Sequence, residues 1–338
     1  MANLSQAMAT SALSKLNKNK IFSLLKNDEN KAQFRSQTSP GAACVLMALP
    51  TDKQFKLSSQ EFALLMSTRT FAFQPDPIGY PSPTQYPLLS ANQLSFECPF
   101  CRFNGGTLTY EHILVCPGRG ANIIRHNEII YIFLQLLNFA GVQHTVREPK
   151  NISIGTNKRT DILTSHNQMR RRYDLAVISP NVPSNCKKAA LEPFHAANTK
   201  FKEKIAKHFR AYAAEDADFA PLIIESTGAI HPRMMREIQA LVTLSDQSQP
   251  IHHSFTIRNS FQYWTHYIAI AAARATMRKQ VEARKHAYIK VARLLNDYRL
   301  HSIHAQSVPL PLLLSNQHTA AHHSSTDQSD SLAHNAPT

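Results

Sequence analysis

From residue 121 the chain reads ANIIRHNEIIYIFLQLLNFAG. Its apolar residues recur at helical intervals up to Gly141, which predicts a strong helix closed by glycine at C′. Three short segments with strand character follow: QHTVRE (143–148), RTDILTS (159–165) and RYDLAVIS (172–179). Asn-Gln and a run of arginines separate the last two, which predicts a hairpin. PFHAANTKFKEKIAKHFRAYAA (193–214) reads as a long helix with Pro193 in its first turn. APLIIEST (220–227), bounded by Pro221 and Gly228, reads as a fourth strand, and HPRMMREIQALVTLSD (231–246) as a helix. Residues 260–299 form one long helix or two broken ones. The order helix–strand–strand–strand–helix–strand describes an α/β fold, a small mixed sheet flanked by helices.

Before this core, LSSQEFALLMSTRTF (57–71) predicts a helix with Ser59 at its N-cap and Phe62, Leu65 and Met66 at helical spacing. SPGAACVLMALP (39–50) is apolar and breaks at Pro50, and residues 74–90 carry five prolines, the mark of an extended linker. Residues 1–38 are polar and lack firm periodicity, so a flexible N-terminus is expected. From 301 the chain has six histidines, no lysine or arginine and much serine, which reads as disorder. No internal repeat is visible. The expected divisions are a flexible N-terminus (1–38), a helical segment with Pro-rich linker (39–90) and a Cys/His segment (91–120). An α/β core (121–250), a C-terminal helical region (251–300) and a disordered tail (301–338) complete the chain.

Composition narrows the partners. The 338 residues leave room for one large domain or two small ones, and 43% hydrophobic content is enough for a real core. Lys and Arg number 37 against 23 Asp and Glu, a formal charge of +14, which favours a polyanion: nucleic acid first, an anionic membrane second. Three of the five cysteines are clustered, unlike a disulfide framework, and a reducing compartment fits better. The N-terminus lacks the apolar run of a signal peptide, and the longest greasy stretch, 129–141, is too short to span a bilayer. The expectation is a soluble intracellular protein of the nucleus or cytoplasm, with no membrane partner.

CPFCRFNGGTLTYEHILVC (98–116) holds Cys98-x2-Cys101-x10-His112-x3-Cys116. Cys-x2-Cys puts two thiolates on one knuckle, FNGG (103–106) supplies a flexible turn, and one helical turn presents His112 and Cys116 on one face. Four N/S ligands with no fifth candidate nearby suit a closed, tetrahedral, structural Zn²⁺ site. The alternative is buried cysteines beside a surface histidine.

A second constellation is acidic. Asp161 and Asp174 lie thirteen residues apart on the two segments of the expected hairpin, so both carboxylates can reach one end of the sheet. Such a pair can bind Mg²⁺, which would polarise a phosphodiester and help generate hydroxide. A lysine is needed near the reacting phosphate. The common Asp-x-Lys arrangement would place it at 176, which is Ala176, so it must come from Lys200, Lys202, Lys204 or Lys207 on the following helix. Lys204 and Lys207 share a face. Glu128 could add a third carboxylate. The plainer alternative is a surface ion pair such as Asp174 with Arg172. Residues 158–210 also hold twelve Lys/Arg against four Asp/Glu, a surface that neutralises phosphates without reading sequence. Arg159, Arg170, Arg171, Arg172, Lys200 and Lys207 are the candidate nucleic-acid contacts.

Residues roughly 39–270 resemble the C-terminal region of non-LTR retrotransposon polyproteins that carry a restriction-like endonuclease. GAACVLMALP…LSSQEFALLMSTR precedes the Cys-Cys-His-Cys knuckle, and IIRHNEII matches the Arg-His helix through Arg125, His126 and Glu128. Arg159, Asp161 and Asp174 match the acidic motif. KIAKHF matches a Lys-x-x-Lys-aromatic element through Lys204 and Lys207, and FAPLIIESTG matches the closing strand, with Glu225 and Gly228. The resemblance implies a PD-(D/E)xK-like fold that nicks DNA with Mg²⁺ to prime reverse transcription. It implies Asp161, Asp174 and Lys204 as the catalytic set, with Glu128 as an auxiliary. The expected partner is DNA, with RNA as a second candidate. The chain departs from the family pattern at Thr160, where proline is usual, and at His208, where an aromatic is usual; no reverse-transcriptase signature with paired aspartates appears. The chain is therefore expected to be a detached tail of such a polyprotein. The rival expectation is a zinc-knuckle nucleic-acid-binding protein without catalysis.

Overall fold

A computed structural model describes residues 6–47, 53–70, 98, 101, 110–116, 121–142, 145–148, 160–213, 217–245 and 259–307. The Pro-rich linker, the FNGG turn, Arg159 and the tail beyond 307 lie outside the described residues. Contacts divide the chain into Met1–Tyr288 and Ile289–Thr338. The described part of the second unit, 289–307, is helical.

Helix α6 (Ala121–Phe139) leads into β1 (Val146–Arg147), β2 (Ile162–His166) and β3 (Met169–Ile178); α7 (Cys186–Leu191) and α8 (His195–Ala213) then connect to β4 (Ala217–Glu225). The sheet order is β1-β2-β3-β4, antiparallel except for the parallel pair β3–β4, so the sheet is mixed. Helices α9 (Pro232–Leu244) and α10 (Ser260–Ser307) follow. The hairpin is present, and its two-residue turn is Asn167-Gln168, both at positive φ, 49° and 66°. Such a turn matches the twist of antiparallel strands, and Asn tolerates the conformation better than most residues. The arginines do not sit in that turn. They open β3, which begins three residues earlier than expected.

Alternation along β3 sorts its side chains. Tyr173 and Leu175 enter the apolar core, where Phe133 of α6 meets the Tyr173 ring edge-on at 5.1 Å. Arg172 and Asp174 are also buried, on the opposite side of the strand, where α8 packs. Six apolar residues of α6, from Ile129 to Leu137, are buried between the sheet, α9 and α10. Each is worth roughly 1.5–3 kcal/mol relative to exposure. Pro221 is paired with Asp174 in β4, an edge strand where a missing N–H is tolerated.

The N-terminal region differs from expectation. Residues 6–37 form α1 (Gln6–Leu24) and α2 (Asp28–Gln37), and α2 packs on α7 with Ala32 against Ala189 and Ala190. Hydrogen bonds hold the rest of α2: Gln33 Nε2 donates to Thr68 O (2.5 Å), Arg35 Nε to Ala190 O (2.6 Å), and Asn181 Nδ2 to Gln33 Oε1 (3.0 Å). Its buried residues are mixed, Ala32 and Phe34 beside Gln33, Ser36 and Gln37, so no apolar period announces it. Helix α3 (Cys44–Met47) and α4 (Ser59–Arg69) contribute Val45, Leu64 and Leu65 to the same core as the sheet. The cap of α4 is Ser58, one residue earlier than expected. Pro193 lies in the break between α7 and α8, and α10 is one unbroken helix reaching past residue 300. Among the described residues no helix is long and apolar enough to cross a membrane.

Candidate functional site

The Cys/His segment closes on itself. Cys98, Cys101, His112 and Cys116 offer one ligand atom each, all within 4.8 Å of one another. Cys98 Sγ lies 3.6 Å from Cys116 Sγ, and Cys101 Sγ lies 3.0 Å from His112 Nε2. Tetrahedral Zn–S bonds of about 2.3 Å place two sulfurs roughly 3.8 Å apart, so the spacing fits. Helix α5 (Tyr110–Val115) carries His112, and Cys116 follows its last turn, donating its N–H to His112 O at 2.8 Å. Burial and the nearby Lys279 charge hold His112 below its usual value, which favours the neutral imidazole a metal needs. Burial and the neighbouring Cys98 and Cys116 thiols push Cys101 up to about 12, an arrangement a bound cation would invert. These four residues can form a zinc site.

The cluster is docked on its neighbours. Lys279 of α10, buried, donates to Cys116 O (2.8 Å), Leu114 O (3.4 Å) and Asn122 Oδ1 (2.8 Å). Asn122 Nδ2, in the first turn of α6, donates to Cys116 O (3.1 Å). Cys98, Cys116 and Ile113 pack on Ala283 of α10.

A second site lies at one end of the sheet. Asp161, just before β2, pairs its N–H with Tyr173 O (3.0 Å) and thereby sits beside Asp174 of β3. Asp161 Oδ2 contacts His126 Nε2 of α6 (3.0 Å) and accepts the N–H of Leu175 (2.6 Å). Asp174 Oδ2 meets Lys204 Nζ of α8 (2.6 Å) and His208 Nε2 (3.3 Å). Three residues singled out from sequence, Asp161, Asp174 and Lys204, therefore come together. Burial works against ionised Asp161, but the bond and charge of His126, the Leu175 N–H and the charge of Lys204 hold it below the usual carboxylate range. Asp174 moves the other way, raised by burial and by the Asp161 carboxylate in spite of Lys204. His126 and the Leu175 N–H thus meet Asp161 at Oδ2, and Lys204 and His208 meet Asp174 at Oδ2.

The other candidates lie elsewhere. Glu128 turns to α10, where Arg274 Nη2 (2.8 Å) and Arg278 Nη1 (3.4 Å) hold its carboxylate; it is not among the partners of the Asp161–Asp174 pair. Arg171 pairs with Glu237 (2.7 Å) and Asp218 (3.3 Å), and Arg172 is buried, its Nη1 donating to Thr160 Oγ1 (3.4 Å). Arg172 is thus an internal residue and not a surface partner of Asp174. Lys200 pairs with Glu203 one turn on (2.7 Å), and Arg170 and Lys207 are exposed.

Sequence reasoning assigned no role in the site to His126 or His208. Their signal was present: His126 is two residues before Glu128, and His208 follows Lys204 at i+4 on the same helix face. Neither the protein-family models nor the curated proteins searched contain a match to this chain.

Proposed function

We propose that this chain is an endonuclease-like module of the non-LTR retrotransposon type, which engages DNA through a basic face and nicks it at the Asp161–Asp174 site. The observation that carries this reading is the convergence of Asp161, Asp174 and Lys204, from three separate elements, at one end of the sheet. The element order supports a restriction-endonuclease-like arrangement, with β3 and β4 parallel and α8 between them.

The paired carboxylates fit a divalent cation, because both are acidic side chains held side by side and Asp161 raises the proton affinity of Asp174. A Mg²⁺ ion held by Asp161 and Asp174 would supply Lewis-acid activation of water and of the phosphodiester. His126 of α6 holds Asp161, and His208 of α8 holds Asp174. Lys204 places a fixed positive charge beside Asp174, where negative charge would build up on the phosphoryl oxygens. Zinc held by Cys98, Cys101, His112 and Cys116 would tie the knuckle together where it meets α6 and α10, a structural role.

A second reading, a nucleic-acid-binding protein without catalysis, is favoured by one observation. Lys204 already neutralises Asp174, and among the described residues the only group of three or more His, Cys, Asp or Glu close enough to share an ion is the Cys/His cluster. Nicking of supercoiled plasmid, with Mg²⁺ and with chelator, separates the two. The nuclease reading expects Mg²⁺-dependent nicking that Asp174→Ala abolishes and Lys204→Ala slows by roughly 10²–10³-fold, the usual loss of one charge-stabilising group. Nicking that survives Asp174→Ala rejects this site. A wild type that binds DNA but does not nick establishes the second reading.

A further inference from the structure

The Cys/His cluster and the carboxylate pair are joined by a single turn of α6. Asn122 and His126 are four residues apart in that helix, so they lie on one side of it, separated by roughly 6 Å of rise. Asn122 is clamped at both ends of its amide: Nδ2 donates to Cys116 O at 3.1 Å, and Oδ1 accepts from Lys279 Nζ at 2.8 Å. Lys279 reaches Cys116 O as well, at 2.8 Å, so the last ligand of the cluster, α6 and α10 meet at one point. One turn further on, His126 Nε2 lies 3.0 Å from Asp161 Oδ2, the oxygen that also takes the Leu175 N–H.

We propose that His126 is a positioning residue for Asp161, and that the metal-loaded Cys/His cluster aims it through Asn122. The first turn of any helix lacks intrahelical partners for its N–H groups and frays unless something holds it. Here apolar packing contributes little, because Ile123 and Ile124 are 64% and 68% exposed. The hold is polar: Asn122 on Cys116, Lys279 on both, and Arg125 Nη2 on Asn122 Oδ1 at 3.3 Å. Closing the cluster through Cys116 Sγ adds a hold on the residue whose carbonyl Asn122 and Lys279 share. Opening the cluster frees the carbonyl, the carbonyl releases Asn122, and the turn that carries His126 loosens with it. Asp161 then keeps the Leu175 N–H but loses the side chain that sets its second direction.

This rests on the nuclease reading only for what the pair does. The test reads the His126 imidazole and not DNA cutting, so a missing linkage and a missing activity are told apart. The full chain is loaded with zinc and its stoichiometry measured. The His126 Nε2–H signal, identified by its loss in His126→Gln, is followed by NMR at pH 7, together with hydrogen exchange of the 123–128 amides. Removing zinc with a chelator is expected to move that signal and to speed exchange in 123–128 by at least about tenfold, while α9 amides stay protected. Asn122→Ala, still carrying one zinc, is expected to do the same. If chelation also exposes α9, the chain has unfolded and Asn122→Ala decides alone. An unmoved His126 signal and unchanged exchange in zinc-loaded Asn122→Ala overturn the proposal, as does a chain that binds no zinc.

Discussion

Glu225 closes β4 as a carboxyl buried to 1% exposure, and hydrogen bonds rather than a cation hold it among the described residues. Ser36 donates to its Oε2, Thr227 shares the Ser36 hydroxyl, and the Ala197 N–H reaches it. Burial, partly offset by those bonds, raises it from 4.5 to about 7. Between those values the folded chain keeps a proton the unfolded chain has lost. The stabilisation is therefore complete below about 4.5 and disappears as pH rises through about 7. Glu225→Gln keeps the neutral shape at every pH. It should be more stable than wild type at pH 8, by on the order of 3 kcal/mol and with a higher melting temperature, and match wild type at pH 4.5. Equal melting temperatures at pH 8 would show that Glu225 carries no such penalty. His231 has the opposite sign. Burial, with the Arg233 and Arg236 charges, lowers it to about 4, and both ring nitrogens are used by the neutral form, Nδ1 accepting from Arg233 N and Nε2 donating to Asn198 Oδ1. Its contribution grows as pH rises from about 4 towards 6.5, so comparing Glu225→Gln with wild type at each pH isolates the glutamate.

At the scale of elements, α4 is held by its ends. Ser58 Oγ accepts the Glu61 N–H (3.2 Å), Glu61 Oε2 accepts the Ser58 N–H (2.6 Å), and Arg278 of α10 binds Glu61 Oε1 (2.7 Å). Ser58→Ala removes one half of this box and should cost about 1 kcal/mol in urea unfolding without changing the slope. Ser59→Ala, at the position the sequence pattern pointed to, should cost clearly less; equal losses would mean that the cap is not where the geometry puts it. The slip of one residue has a simple cause, since two serines in a row offer the same oxygen. Elements with an apolar stripe, α6 and α9 above all, were legible because their period and their burial coincide. Helix α2 was not, because its buried residues mix Ala32 and Phe34 with Gln33, Ser36 and Gln37 and leave no apolar stripe. The break before α8 was hidden as well: Phe194 adopts φ of +60° there, a conformation that tertiary packing selects and local sequence does not announce.

Over the whole molecule, the site was legible where chemistry is carried by residue type and blurred where it depends on direction. Asp161, Asp174 and Lys204 could be named from spacing, yet spacing did not tell that Glu128 faces two arginines of α10 or that Arg172 points inwards. Both depend on which side of an element meets which neighbour. The consequence for the proposed DNA partner is specific. Arg170 and Lys202 are exposed, whereas Arg172 is internal. Duplex affinity should fall with salt by about 0.9 log unit per log unit for each phosphate neutralised, and Arg170→Ala should lower that slope by roughly one contact. Arg172→Ala should lower thermal stability and leave the slope of the folded protein unchanged. A salt-independent affinity would point to a partner other than a polyanion.

The contact between α2 and the end of β4 also has a schedule. Ser36 and Glu225 are 189 residues apart. A ribosome adding roughly 5–20 residues per second needs about 10–40 s to cover that distance, and through that interval α2 exists without the strand it will cap. A greasy helix left waiting would be a hazard to itself and its neighbours. Helix α2 instead presents glutamines and a serine, which water satisfies until Glu225 and Asn181 arrive. The polarity that hides this helix from pattern reading lets it wait in solution for a partner made 189 residues later.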